Sequence, residues 1–77
     1  MKQLAEYLLS FLAEKNEEVV VDEVDNSPGV VTLTIHVAAE DMGRVIGREG
    51  RIIGSIRNLL KIRALKENKL VNVTLAE

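Results

Sequence analysis

Apolar residues recur along this chain with two periods, and the switches between them mark out its elements. Over residues 3–15, Leu4, Leu8, Phe11 and Leu12 fall at i, i+4, i+7 and i+8, with Glu6, Glu14 and Lys15 elsewhere. That is the spacing of an amphipathic helix. β-Branched residues dominate 19–24, which predicts a strand. Asp25-Asn26-Ser27-Pro28-Gly29 is turn chemistry: proline fixes φ, glycine supplies positive φ, and Asn or Asp bonds its own backbone. Beyond it, Val31, Leu33, Ile35 and Val37 alternate with Thr32, Thr34 and His36, so the two strands form a hairpin.

Glu40-Asp41 offers an N-cap and early acidic charge for a short helix through Ile46, which Gly47-Arg48-Glu49-Gly50 breaks. A longer helix is predicted from Arg51 to about Lys66, with Ile52, Ile53, Ile56, Leu59 and Leu60 as its apolar stripe. Gly54, Arg57 and Lys61 fall opposite that stripe. In the last segment Val71, Val73 and Leu75 alternate with Asn72 and Thr74, again a strand. The order is α-β-β-α-α-β. The connection from the second strand to the third passes through two helices, a length that suits a right-handed crossover to a parallel neighbour. The expected fold is α+β: a three-stranded mixed sheet with three helices on one face, in a single domain over residues 1–77.

Composition narrows the function classes. The 77 residues contain no cysteine, which excludes a disulfide scaffold, a zinc ribbon and a thiol enzyme. An apolar fraction of 47% is too high for intrinsic disorder, yet no apolar run reaches membrane-spanning length. Glu6 and Glu14 interrupt the first segment, so no secretory signal is expected and the predicted address is cytoplasmic. One histidine, His36, on the polar face of a strand, and acidic residues without calcium-loop spacing leave no metal set, no cofactor loop and no catalytic pair. A non-enzymatic role is expected.

Charge is divided unevenly along the chain. Residues 1–40 carry eight carboxylates against two lysines, a formal −6, whereas residues 41–77 carry eight cations against four carboxylates, +4. Halves of opposite sign can mark an anion-binding face in a chain whose total is only −2, and from charge alone two solvated faces that happen to differ are the alternative. Four of the five glycines, at 43, 47, 50 and 54, fall in the basic half. Gly47 and Gly50 bound a G-x-x-G between two helices, which is neither the dinucleotide fingerprint nor a Walker loop. Gly47 is expected to end the first helix in the left-handed conformation, and Gly50 to let the second begin at once. Neither carries a side chain to hold a sugar-phosphate backbone away. The second helix points its unpaired N–H groups at the same spot, which suits phosphate. Arg44, Arg48 and Arg51 gather there, although a cation at a helix N-terminus works against the dipole by about 0.3–1 kcal/mol. A polyanion in the gap accounts for that cost; internal neutralisation by Glu49 is the alternative.

The stretch from Asp41 through Val45-Ile46-Gly47-Arg48-Glu49-Gly50 to Arg57 resembles the K-homology (KH) domain, whose Val-Ile-Gly-x-x-Gly loop clamps single-stranded nucleic acid. The α-β-β-α-α-β order is similar to the type II, bacterial arrangement. The short length matches the bacterial single-domain KH proteins of the KhpA family, and the resemblance covers nearly the whole chain. It implies an RNA-binding module, an RNA chaperone or post-transcriptional regulator, whose loop contacts the backbone of about four nucleotides. Gly47, Arg48, Glu49 and Gly50 would form the clamp and Ile46 part of an aliphatic groove wall. Arg44, Arg51 and Arg57 would lie near phosphates. Glu49 departs from the lysine or neutral residue common in this loop and sets a carboxylate beside the phosphate path. Tyr7 and Phe11, at helical core spacing far from the loop, do not suit a stacking platform. The resemblance also implies a homodimer, or a heteromer with a second KH-containing protein. The competing expectation is a degenerate KH fold that serves only as a protein-interaction module.

Overall fold

The two periods translate into six regular elements. A computed structural model describes residues 1–76, save the side chains of Asn26 and Ser27, so the bond expected of Asn26 in its turn lies outside the described residues. Helix α1 spans Lys2–Ser10, strand β1 Val20–Ser27 and strand β2 Val30–His36. Helix α2 spans Met42–Ile46, helix α3 Arg51–Lys66 and strand β3 Leu70–Leu75. Short 3-10 turns precede β1, α2 and α3. The sheet order is β1-β2-β3, with β1 antiparallel and β3 parallel to the central β2, the mixed α+β arrangement expected. Gly29 takes a φ of 82° at the hairpin turn.

Register decides which side chains meet. Val21 lies opposite Ile35, and on the other side Val31, Leu33 and Ile35 lie opposite Val71, Val73 and Leu75. Because side chains alternate along a strand, these residues share one sheet face. The helices cover it with Ala5, Leu9, Val45, Ile53, Ile56, Leu60 and Ala64, all buried in one cluster. No helix of the described chain is long and apolar enough to cross a membrane.

Two expected stripes shift. The first helix ends at Ser10 rather than 15, where the Ser10 hydroxyl donates to the Tyr7 carbonyl at 2.6 Å. Its deepest positions are Ala5 and Leu9, with Leu4, Leu8 and Leu12 only partly covered. Small Ala5 brings α1 close to the sheet, and this rotation turns Tyr7 and Phe11 outward, 61% and 70% exposed. Neither aromatic is a core residue; their rings meet edge-to-face at 5.0 Å on the surface. In α3 the buried set is Ile53, Ile56, Leu60 and Ala64, at i, i+3, i+7 and i+11, while Leu59 is 47% exposed. β1 begins one residue later and runs three further than expected, carrying Asp25 opposite Val31.

Asp41 also departs from expectation. Its side chain makes no capping bond to α2. It is buried (1% exposed), and its Oδ1 and Oδ2 accept the backbone N–H groups of Glu14 and Lys15 at 3.1 and 3.0 Å. The donors released by the early end of α1 are thus satisfied by the residue that leads into α2. Those two N–H bonds, Lys15 first, hold the Asp41 carboxyl below the ordinary aspartate range. Lys15 pairs with Glu40, and Arg44 Nη2 reaches Glu14 Oε1 at 2.7 Å. A buried carboxylate and two exposed ion pairs thereby fasten α2, and the loop after it, to the end of α1.

Candidate nucleic-acid interface

The loop between α2 and α3 is built from backbone conformations that side chains resist. Gly47 N–H closes the last turn of α2 on the Gly43 carbonyl at 2.9 Å. Gly47 itself has φ 76° and ψ 175°, positive φ but extended ψ, rather than the left-handed helical cap expected. That region is essentially open only to glycine. A Cβ at Gly47 would also lie 2.5 Å from Ile52 Cγ1, so conformation and packing both demand its absence. Glu49 (φ 57°, ψ 25°) and Gly50 (φ 72°, ψ 17°) then sit in left-handed geometry, and α3 begins directly after Gly50 as expected. The first turn of α3 has no side-chain cap; the Gly50 N–H closes on the Gly47 carbonyl and the Arg51 N–H on that of Arg48, so the N–H groups that follow mark the positive end of a 16-residue helix.

Around this bend the predicted arginines divide. Arg44 is engaged by Glu14, with Asp41 Oδ1 4.0 Å from its Nε. Arg51 lies 3.4 Å from Glu49 Oε2, a loose and exposed pair that realises the internal neutralisation weighed above. Arg57 donates from Nε to the Val73 carbonyl at 3.3 Å and stands half-buried between α3 and β3. Arg48 is exposed and has no ion-pair or side-chain hydrogen-bond partner among the described residues. Ile46 is exposed at the end of α2. Built Cβ atoms at Gly50 and Gly54 meet nothing within 4 Å, so no contact within the molecule requires glycine's small size there. Gly54, at about 1 kcal/mol of helix propensity relative to alanine, leaves open room beside the loop.

A groove follows from these positions. Gly54, Arg57 and Lys61 succeed one another along α3, and the bond from Arg57 to Val73 sets this side of the helix beside β3, an edge strand. At the far end Lys61, Ala64 and Leu65 face Lys69 and Val71 across a cleft of about 320 Å³. Sequence reasoning placed Gly54, Arg57 and Lys61 on a common face but missed Leu65, Lys69 and Val71. The signal was present in the continued i, i+4 spacing from Lys61 to Leu65, but pairing with β3 depends on tertiary structure. Among the described residues no cluster of His, Cys, Asp or Glu could hold a metal ion.

Comparison with known proteins agrees with this geometry. Residues 2–75 match the family described as KhpA/KhpB, KH domain. A Clostridium acetobutylicum protein named RNA-binding protein KhpA is 47% identical over 73 residues, covering 95% of this chain and 96% of its own length. The Clostridium perfringens protein of the same name is 45% identical with the same coverage. That of Chlamydia trachomatis is 36% identical over 77 residues, covering all of this chain and 97% of its own. No solved structure matches. A G-x-x-G bend between two helices, on an α-β-β-α-α-β frame matched almost end to end, places this chain in the KhpA/KhpB family of KH domains.

Proposed function

We propose that this chain binds single-stranded RNA by clamping its backbone at Gly47-Arg48-Glu49-Gly50, as a non-enzymatic RNA chaperone or post-transcriptional regulator in the cytoplasm. The carrying observation is the loop itself: two glycines at positive φ, an unpartnered Arg48, and the uncapped N-terminus of α3 converge on one exposed bend. Phosphate would meet backbone N–H groups and the helix dipole there, with Arg48 as the first cation. Arg51 and Arg44 would join on release from Glu49 and Glu14, both pairs being exposed and so weakly held. Ile46 and Arg57 would border the bases and the following phosphates. The names of the relatives support RNA as the ligand.

Binding of a random-sequence single-stranded RNA, followed by fluorescence anisotropy across salt concentrations, tests this. Wild-type log K should fall with log[salt] at about 0.7 per neutralised phosphate. The Arg48→Asp/Glu49→Asp variant, folded by circular dichroism, should lose most of its affinity. Equal affinity of the two proteins, without salt dependence, would overturn the proposal.

A second reading, pairing with another KH-containing protein or a second copy, is favoured by Leu59, Ile62 and the Tyr7–Phe11 pair, all exposed. Pairing would add avidity to a unit that reads few nucleotides. The same surface would serve a KH fold specialised for protein contacts, which would show no salt-dependent RNA binding.

A further inference from the structure

The clamp makes no use of the aromatic pair at the end of α1. Tyr7 and Phe11 lie four residues apart, one turn of helix or about 6 Å along its axis. Their rings meet at 89° with centroids 5.0 Å apart, and both side chains are exposed. Rings at right angles leave ring faces open to solvent. The core positions of this helix belong instead to Ala5 and Leu9. Packing within the molecule therefore gives no reason for two aromatics here, and exposed aromatics of this size are residues that dominate contacts with other molecules.

Charge around the pair decides what it fits. Glu6 precedes Tyr7, Glu14 follows Phe11 by three residues, and Glu17 and Glu18 stand just beyond. Among the described residues the side chains of Glu6, Glu17 and Glu18 have no ion-pair or hydrogen-bond partner. Two cations answer this group: Arg44 holds Glu14, and Lys15 holds Glu40. The Lys15 ammonium, bonded to Glu40 and within reach of Glu18 and Glu17, is held above the ordinary lysine range, so three carboxylates share one positive charge. The surface is net negative, opposite in sign to the loop with its unpartnered Arg48, and it repels an RNA strand. A neutral apolar partner would cover the rings but leave the carboxylates without counter-charge. Arginine answers both features, because its planar guanidinium stacks on aromatic faces and forks onto carboxylates. The compact, strongly hydrated lysine ammonium does so less well.

We infer that the Tyr7–Phe11 pair and the carboxylates around the end of α1 form a docking surface for an arginine-rich segment of another protein. A second copy of this chain is the poorer fit. Its cationic side chains without an ion-pair or hydrogen-bond partner, among the described residues, are Lys2, Arg48, Lys61, Lys66 and Lys69. Only Arg48 of these is an arginine, and on the clamp reading above it is committed to RNA. Leu59 and Ile62 of α3 carry no such acidic surround in the sequence and stay with the pairing of KH domains. RNA on the loop and a basic protein on α1 are then held at once, on surfaces of opposite sign.

The probe is a short peptide of alternating arginine and glycine, with its lysine–glycine counterpart as control. Each is titrated by NMR into the wild type, a Tyr7→Ala/Phe11→Ala variant and a Glu17→Gln/Glu18→Gln variant, all folded by circular dichroism; the four positions are exposed. On the wild type the arginine peptide should move the amide signals of Tyr7, Phe11, Glu17 and Glu18 together and bind more tightly than the lysine peptide. Loss of the rings should lower arginine-peptide affinity about two- to fivefold for each cation–π contact removed and abolish the preference over lysine. The glutamate substitutions should weaken both peptides and keep the preference, and RNA affinity should be the same in the wild type and the ring variant. Equal binding of the two peptides by the wild type, or a preference that survives loss of the rings, would overturn the inference and leave only a diffuse acidic surface. Tyr7 and Phe11 signals that move with RNA alone, or self-association that the ring substitutions remove, would overturn it in favour of RNA or of a second copy. A wild type that takes the arginine peptide as expected but binds no RNA would overturn the clamp and leave the docking surface standing.

Discussion

At the scale of single residues, the loop depends on what is missing. Gly47 combines a φ and ψ pair closed to other residues with a Cβ direction already occupied by Ile52. Gly50 has left-handed geometry but open space around it. These two glycines look alike in the sequence, and the structure ranks them. Gly50→Ala meets only the left-handed penalty, about 1–2 kcal/mol. Gly47→Ala adds displacement of a partly buried isoleucine to a strain of about 1–3 kcal/mol, and should be the more destabilised of the two by urea denaturation. Equal midpoints for the two variants would contradict that ranking. Glu49 accepts a left-handed conformation without being glycine and holds Arg51 loosely at 3.4 Å. The carboxylate is therefore part of the loop's charge balance.

Between elements, the decisive contact is one that periodicity does not announce. Asp41 precedes a helix and reads as its cap, because a cap and a distant acceptor are the same residue type in the same place. Only the early end of α1, which frees the Glu14 and Lys15 N–H groups, directs its oxygens elsewhere. The consequence is pH-dependent. Its pKa is lowered on folding, so the stability it contributes is present above the unfolded value and is lost as pH falls through the folded one. Asp41→Asn should lower Tm at neutral pH, and the gap to wild type should close as pH drops below about 4, the ordinary value of an aspartate. A gap that persists unchanged below that pH would show that the carboxylate charge is not what α2 depends on. Helix faces were partly legible for a related reason. Leu4 and Leu8 were correctly placed toward the core, but Ala5, which has little hydrophobic signal, sets the angle of α1 and exposes Phe11. Leu59 and Ala64 exchange roles in α3 by the same logic: close packing selects the small residue, and a hydrophobicity pattern favours the large one.

Across the whole molecule, element order, mixed sheet and loop position were all readable from the sequence. Each rests on local signals: strict alternation at 31–37, the turn residues Pro28 and Gly29, and glycines that interrupt a helical period. Glu49 beside Arg51 was legible as an internal partner, but those of Arg44 and Arg57 were not, because these arginines present the same basic pattern and differ only in which neighbours the fold supplies. The same division governs charge. A formal total of −2 gives no hint of a nucleic-acid partner, yet the basic second half contributes the loop and its arginines, while Glu14 of the acidic half pairs with Arg44 beside it. Whether the bend at Gly47–Gly50 receives RNA phosphate is read from its backbone amides by NMR during titration with short single-stranded RNA. The amide signals of Gly47 to Gly50 and of the first turn of α3 should move together in a saturable way and lose that response as salt is raised. Signals from these residues that stay in place while binding is registered elsewhere on the molecule would contradict the account.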